Sequence, residues 1–380
     1  MKILITVGIF PPDIGGPASF VPKIANLLVD SGHNVTVICL TEKKHLDNEK
    51  FQIVRILRKQ NLIIRWIKTI LLIFKHGLTS NLIFVNGLPM ESYIANLVLR
   101  KKIYRKIVGD WAWERGMNRK LINESFDEFQ NNKHGLHLEI AKFSRGWTAT
   151  KANMVITPSN HLKNIVRNWG VSNEKIKVIY NGTIIDSTKK LNNKLTPANL
   201  KFITVGRLAP WKNINIMLEA FSEYKQLNKD FTFYIVGSGP EEETLRNLTE
   251  KLGLSQEVVF TGQLDKQALG EYYKNSNIYI QGSSYEGLPH VILEAISHNL
   301  SIISTPIGGT NEVLLDGKNG WIWELHNSFK PLKEDLINII EEMCNDIEKD
   351  VLIKENAMTH LYKLFNEEEN LNSYIEIIKK

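Results

Sequence analysis

Ser283-Ser-Tyr-Glu-Gly-Leu-Pro-His-Val-Ile-Leu-Glu-Ala295 is the stretch on which the reading of this chain turns. It sets Glu286 and Glu294 on either side of a Gly-Leu-Pro turn that runs into an apolar helix. The residues just before it, Asn277-Ile-Tyr-Ile-Gln281, have the pattern of a buried strand. The order is therefore strand, polar loop, proline, helix. Pro289 suits the first helical turn, where its missing N–H costs nothing. The opening amides of the helix, those of His290, Val291 and Ile292, point ahead of it and with the helix dipole form an anion site. Glu294 falls roughly one turn further in, about 6 Å along the axis. A loop carboxylate and a helix carboxylate then flank a phosphate-sized site. That suits a phosphorylated sugar, with hydroxyls for the carboxylates and phosphate for the amides.

Outward from this stretch the chain is a succession of strands and helices. In the first half, residues 3–7, 35–40, 82–85, 103–108 and 154–157 are short, apolar and bounded by turn signals. In the second half, residues 201–205, 231–236, 258–261, 278–281 and 301–304 repeat the scheme. Such runs predict parallel strands buried on both faces. Two successive βα arrays predict an α/β protein of two doubly wound, Rossmann-like domains, and 380 residues is a comfortable length for two. The boundary is expected near Asn181-Gly182 and a polar stretch at 187–198 with no apolar periodicity. The domains are then 1–185 and 186–365, with a last helix at 366–380. Cys39 and Cys344 lie far apart and have no metal-ligand spacing, which fits reduced thiols in a cytoplasmic protein.

Other strand ends carry phosphate chemistry. The run at 201–205 ends in Gly206-Arg207-Leu208, with Trp211-Lys212-Asn213 shortly after. An arginine fork and a lysine point charge five residues apart neutralise a diphosphate together. Val236-Gly-Ser-Gly-Pro240 and Thr261-Gly-Gln-Leu264 follow the next two strands, and Ile307-Gly-Gly-Thr-Asn-Glu312 reads as structural. In the first half, Pro11-Pro-Asp-Ile-Gly-Gly-Pro17 places two glycines ahead of a helix. The P-loop and dinucleotide fingerprints are both absent. Val108-Gly-Asp-Trp-Ala-Trp-Glu114 follows a further strand. Asp110 there suits hydrogen bonding to a transferred sugar or an acceptor hydroxyl, and Trp111 and Trp113 suit stacking on a sugar face. The other reading is a buried helix cap beside two core tryptophans.

The 283–295 string resembles the E-x7-E signature of retaining GT-B glycosyltransferases of family 4. The resemblance extends to the Gly-Arg and Lys-Asn pair at 206–213 and to the glycine loops. It implies two domains facing across a cleft, with the last helix crossing back to the first domain. It implies that Glu286 contacts the donor sugar as the catalytic carboxylate, with Asp110 as a second catalytic candidate. Glu294 would hold the nucleotide ribose. The donor site would further comprise Arg207, Lys212, Gly237, Leu264, Gly287, Leu288, Pro289 and the amides of His290, Val291 and Ile292. Gly16 would lie near the donor phosphates or the acceptor, and Trp111 and Trp113 would serve the acceptor. The family uses its cations in place of a metal, so neither metal nor cofactor is expected, and the donor is a UDP- or GDP-sugar. Ser238 stands where the family commonly has Asp.

The charge is uneven. Residues 1–185 hold 27 Lys and Arg against 13 Asp and Glu, a net +14, while the remainder is −8. Residues 62–74 are strongly apolar with Arg65, Lys68 and Lys75 at helical spacing, the pattern of a basic amphipathic helix. Arg100-Lys-Lys-Ile-Tyr-Arg-Lys106 adds a dense patch in which Lys101, Lys102 and Arg105 are the candidate lipid contacts. No nucleic-acid recognition motif accompanies this charge. The expected function is transfer of a hexose or related sugar from a nucleoside-diphosphate donor to a saccharide acceptor. The acceptor would be lipid-linked, in surface polysaccharide synthesis on the cytoplasmic face of an anionic membrane. The alternatives are a sugar-nucleotide hydrolase or epimerase on the same fold, or a non-catalytic lipid-surface protein.

Overall fold

A computed structural model describes residues 1–13, 15–42, 47–184, 195, 199–227, 229–326 and 330–379. The stretch expected as the linker, 187–198, lies outside these apart from Leu195, as do residue 185 and its neighbour 186. The chain divides into two compact units. The first comprises Met1–Val108, His134–Ile179 and Glu369–Lys380, and the second Gly109–Lys133 and Tyr180–Glu368.

The first unit is built on a seven-stranded parallel sheet of order β3-β2-β1-β4-β5-β6-β7. Its strands are β1 (Lys2–Val7), β2 (Asn34–Thr41), β3 (Gln52–Leu57), β4 (Leu82–Val85), β5 (Lys102–Lys106), β6 (Met154–Thr157) and β7 (Ile176–Val178). β1 and β4 are almost entirely buried, because helices cover both faces of a parallel sheet and leave no side for polar residues. One core gathers Ile3, Ile5 and Val7 with Val21, Ile24 and Leu28 of helix Gly16–Asp30. Tyr374, Ile375 and Ile378 of helix Glu367–Lys379 join it, and the Tyr374 ring packs 5.2 Å from that of Phe20.

The second unit carries a six-stranded parallel sheet of order β10-β9-β8-β11-β12-β13. The strands are β8 (Leu200–Val205), β9 (Phe231–Val236), β10 (Val258–Gly262), β11 (Ile278–Gln281), β12 (Ser301–Ser304) and β13 (Trp321–Ile322). Two cores sandwich it. Phe202, Phe221, Phe233 and Trp323 anchor one, and Tyr279, Ile292, Leu293 and Phe365 the other. The strand order reverses between β8 and β11. In such sheets ligands bind in the crevice outside the carboxyl ends of the two strands at that reversal. Gly206 follows the end of β8, and Ser283–Gly287 follow the end of β11.

The five strands expected in each half are present, and among the described residues three more appear. β3, β7 and β13 all lie on sheet edges. They are short or interrupted by charge, as in β7, Ile-Lys-Val, and β3, which contains Arg55. An edge strand has one neighbour to match, so the pattern is weaker there.

Candidate active site

The loop after β8 and the loop after β11 are stitched together around Lys212 and Glu286. The Ser284 N–H donates to the Trp211 carbonyl at 2.7 Å. Asn213, buried, donates from Nδ2 to the Gly282 carbonyl at 2.6 Å and to Ser284 Oγ at 2.8 Å. The Thr305 hydroxyl donates to the Ser283 carbonyl at 2.6 Å. Held in this way, Lys212 Nζ meets Glu286 Oε1 at 2.5 Å, and Ser283 Oγ donates to the same oxygen at 2.8 Å. Both side chains are about 15–17% exposed, so a ligand can still reach them. Arg207 is exposed and makes no hydrogen bond or ion pair among the described residues. The site therefore offers one cation engaged with a carboxylate and one cation in solvent.

Two glycines let the neighbouring loops close in. At Gly237 (φ 130°) a Cβ would stand 1.9 Å from the Gly206 carbonyl oxygen, so only glycine fits. The Gly206 N–H donates to the Val236 carbonyl, and the Leu208 N–H to that of Ser238. At Gly309 a Cβ would stand 2.1 Å from the Gly287 carbonyl oxygen. The second Gly-Gly loop thus presses directly on the Glu286 turn.

Helix His290–Ser297 begins one residue past the proline, with Pro289 at the cap position. Its first turn consists of His290, Val291 and Ile292. The side chains of Leu288 and Ile292 are buried in the core, which leaves only their backbone for a ligand. Glu294 is half-buried and accepts from the buried Tyr273 hydroxyl at 3.4 Å. Leu264 is half-buried in the loop after β10. Gly16 opens the first helix of the other unit.

The segment Gly109–Lys133 leaves the first sheet after β5 and packs with the second unit, carrying Asp110, Trp111 and Trp113 with it. Asp110 is fully buried. It caps helix Trp111–Asn118, accepting from the Ala112 N–H at 3.0 Å through Oδ1 and from Gln130 Nε2 at 3.1 Å through Oδ2. Of the two readings the sequence left open, the geometry is that of the buried helix cap. Trp113 is removed from the acceptor candidates. It is 1% exposed, in a cluster of rings with Tyr285 (4.9 Å), Trp211 (5.5 Å) and Phe126 (5.8 Å). Trp111 is half-buried.

The acid that does reach the charged cluster is Glu114, one turn after Asp110. Burial pushes its carboxyl up to about 7, against the downward pull of Arg207 and Lys212 and with an upward push from Glu286. The sequence reading passed it over because it gave the aspartate the chemistry. An aspartate immediately before a helical run is first a capping signal, and the next acid on that helix was the one to follow.

In the first unit, helix Leu62–Gly77 exposes Leu62, Ile63, Ile64, Trp66, Ile67 and Leu71. Lys68 and Lys75 are exposed on the same helix, which contains no acid. Arg65 is half-buried and donates to the Arg58 carbonyl at 2.8 Å, Lys101 is half-buried, and Lys102 is exposed. Arg105 is not a surface cation. It is 5% exposed and donates to the Arg145 carbonyl and the Thr148 hydroxyl inside the unit. β5 alternates its side chains between two covered faces, so Arg105 has no route to solvent.

Two family descriptions match the chain, Glycosyltransferase Family 4 over residues 14–187 and Glycosyl transferases group 1 over residues 186–360. The chain belongs to glycosyltransferase family 4. An uncharacterised glycosyltransferase of Methanocaldococcus jannaschii is 30% identical over 239 residues, 60% of this chain and 59% of that protein. The Vi polysaccharide biosynthesis protein VipC/TviE of Salmonella typhi is 29% identical over 157 residues, 38% of this chain and 27% of that protein. The aligned regions thus span between about a quarter and three fifths of these relatives' length. The crystal structure of HepE from Anabaena in complex with UDP and glucose superposes with a TM-score of 0.74 at 19% identity, covering 100% of this chain and 99% of that one. At that identity the likeness concerns the fold, and this family 4 chain has the GT-B fold.

Proposed function

We propose that this family 4 chain is a retaining, metal-independent glycosyltransferase of surface polysaccharide synthesis. It moves a hexose or related sugar from a nucleoside-diphosphate donor to a saccharide hydroxyl on a lipid-linked acceptor. The observation that carries the reading is the Arg207, Lys212 and Glu286 cluster at the reversal point of the second sheet. The exposed Arg207 and the adjacent Lys212 supply two positive charges to a diphosphate, enough to stabilise its departure without a bound ion. Glu286 faces the sugar and orients it. The acceptor oxygen attacks the anomeric carbon on the face from which the diphosphate leaves. The C–O bond to phosphate breaks, and the acceptor proton passes to the departing phosphate. The ligands of the Anabaena protein, UDP and glucose, support a donor of this class.

A lipid-linked acceptor is supported by helix Leu62–Gly77. Its apolar face with Lys68 and Lys75 at the edge complements an anionic bilayer, with side chains entering the headgroup region and ammonium groups at the phosphates. No helix among the described residues is long and apolar enough to cross a membrane.

The test is a panel of UDP- and GDP-sugars incubated with the protein, with and without membrane lipid extract. Donor consumption that requires the extract is the expected result. Consumption without acceptor would make the protein a hydrolase or epimerase, and absence of any donor binding would overturn the reading. In parallel, the protein should co-sediment with phosphatidylglycerol vesicles, and Ile67→Glu/Leu71→Glu should not. Equal binding of the two would remove the membrane from the proposal.

A further inference from the structure

Glu114 is half-buried in the first turn of helix Trp111–Asn118 and accepts no hydrogen bond among the described residues. Its direction is fixed by what surrounds it. A Cβ on Gly109 would lie 3.0 Å from Glu114 Oε1 and 3.0 Å from the Tyr285 hydroxyl. The carboxylate and the phenol thus converge on one turn. The Tyr285 hydroxyl accepts from the Asp110 N–H at 3.2 Å, and its ring stacks on Phe126 at 4.1 Å. The helix that carries Glu114 is therefore tied to the loop that carries Glu286. The charges acting on Glu114 are Arg207 and Lys212 from the segment after β8 and Glu286 from the loop after β11. On its own helix Asp110 is consumed as the cap and Arg115 is exposed.

We propose that Glu114 is a further ligand-binding residue of this site, which meets an anionic donor as the neutral carboxylic acid and so takes up one proton as that donor binds. The inference rests on the nucleotide-sugar reading above. Without ligand, two cations face two carboxylates. A diphosphate adds negative charge where Glu114 has no hydrogen-bonded partner, which favours the neutral acid. The acid then donates its O–H to a ligand oxygen. The proton comes from solvent and returns to it when the ligand leaves. Burial already holds this carboxyl near neutrality, so the uptake falls in an accessible range.

The experiment is titration calorimetry of the whole protein with UDP-glucose and GDP-mannose between pH 6 and 8.5, in two buffers of different protonation enthalpy. The diphosphate diester of these probes does not titrate in that range. Wild type should take up a proton, and Kd should rise toward about tenfold per pH unit at the alkaline end. Glu114→Gln should bind without uptake and with a flat pH profile. Tight binding by wild type with no proton uptake would overturn the inference and leave the nucleotide-sugar reading intact, as would unchanged uptake in Glu114→Gln. Failure of both probes to bind would overturn the two together.

Discussion

At φ 51°, Asn213 occupies the left-handed region that side chains other than those of Gly, Asn and Asp avoid. It does so because its amide must reach both Gly282 and Ser284. Its side chain hydrogen-bonds neither Lys212 nor Glu286, yet it fixes the register between the loops that bring them together. Asn213→Ala should lower unfolding stability by about 2–3 kcal/mol, from added backbone strain and from a buried carbonyl left without its donor. Asn213→Gly removes the strain alone and should recover about 1 kcal/mol of that loss, measured as a shift in urea midpoint. Equal midpoints for the two variants would mean that the left-handed conformation carries no cost here. Arg207, Lys212, Glu286 and Glu294 stood out in the sequence because strings following strand ends carry them and resemble the family's motifs; spacing alone left surface cations and a solvated loop as the simpler reading. Glu114 did not, because its importance comes from a three-dimensional neighbourhood. The packing of Trp113 against Trp211 and Tyr285, together with the Asp110 N–H bond to the Tyr285 hydroxyl, brings its helix to the cations.

Among the elements, the long helix Ile347–Leu364 lies on the second unit's sheet and brings a charge pair inside. Asp350 is fully buried and 3.1 Å from Lys354, one turn on, and it accepts from Ser301 Oγ at 2.9 Å and from Trp321 Nε1 at 3.4 Å. It thus ties the helix to β12 and β13. Asp350→Ala leaves a buried ammonium without its carboxylate and should cost about 3–5 kcal/mol. A calorimetric melt checks this, and a loss below about 1 kcal/mol would show that water or rotation relieves Lys354. The same junction shows why β13 escaped the sequence reading. Trp321-Ile322 is two residues long and has no periodicity of its own. Central strands, buried on both faces, announce themselves as apolar runs, whereas β3, β7 and β13 each pair with a single strand and carry a weaker pattern.

Across the whole molecule, pH acts on stability through another interior charge. Lys106, at the end of β5, is 7% exposed with Nζ 3.4 Å from the Phe20 ring centroid, and burial pushes its ammonium down to about 7. In the unfolded chain the same lysine keeps its proton to about pH 10.4. Between those values the unfolded state binds more protons, so this group makes the fold more stable as pH rises, by up to about 1.4 kcal/mol per unit. The unfolding midpoint should therefore climb from pH 7 to pH 9, and Lys106→Met should flatten that climb. A wild-type midpoint that falls over the same range would contradict the assignment.

The chain passes from one unit to the other four times, at residues 108, 133, 179 and 368. Synthesis proceeds from the N-terminus and domains ordinarily fold as they emerge. Here the first unit cannot complete its core in that order. Its core takes Tyr374, Ile375 and Ile378 from a helix translated after the whole second sheet. On the ribosome, the nascent first unit waits with an apolar surface open beside Phe20 and Phe84 for as long as the second is being made. A chaperone that shields such surfaces has its natural moment there, and a stalled chain lacking residues 369–379 should be held by it and not released.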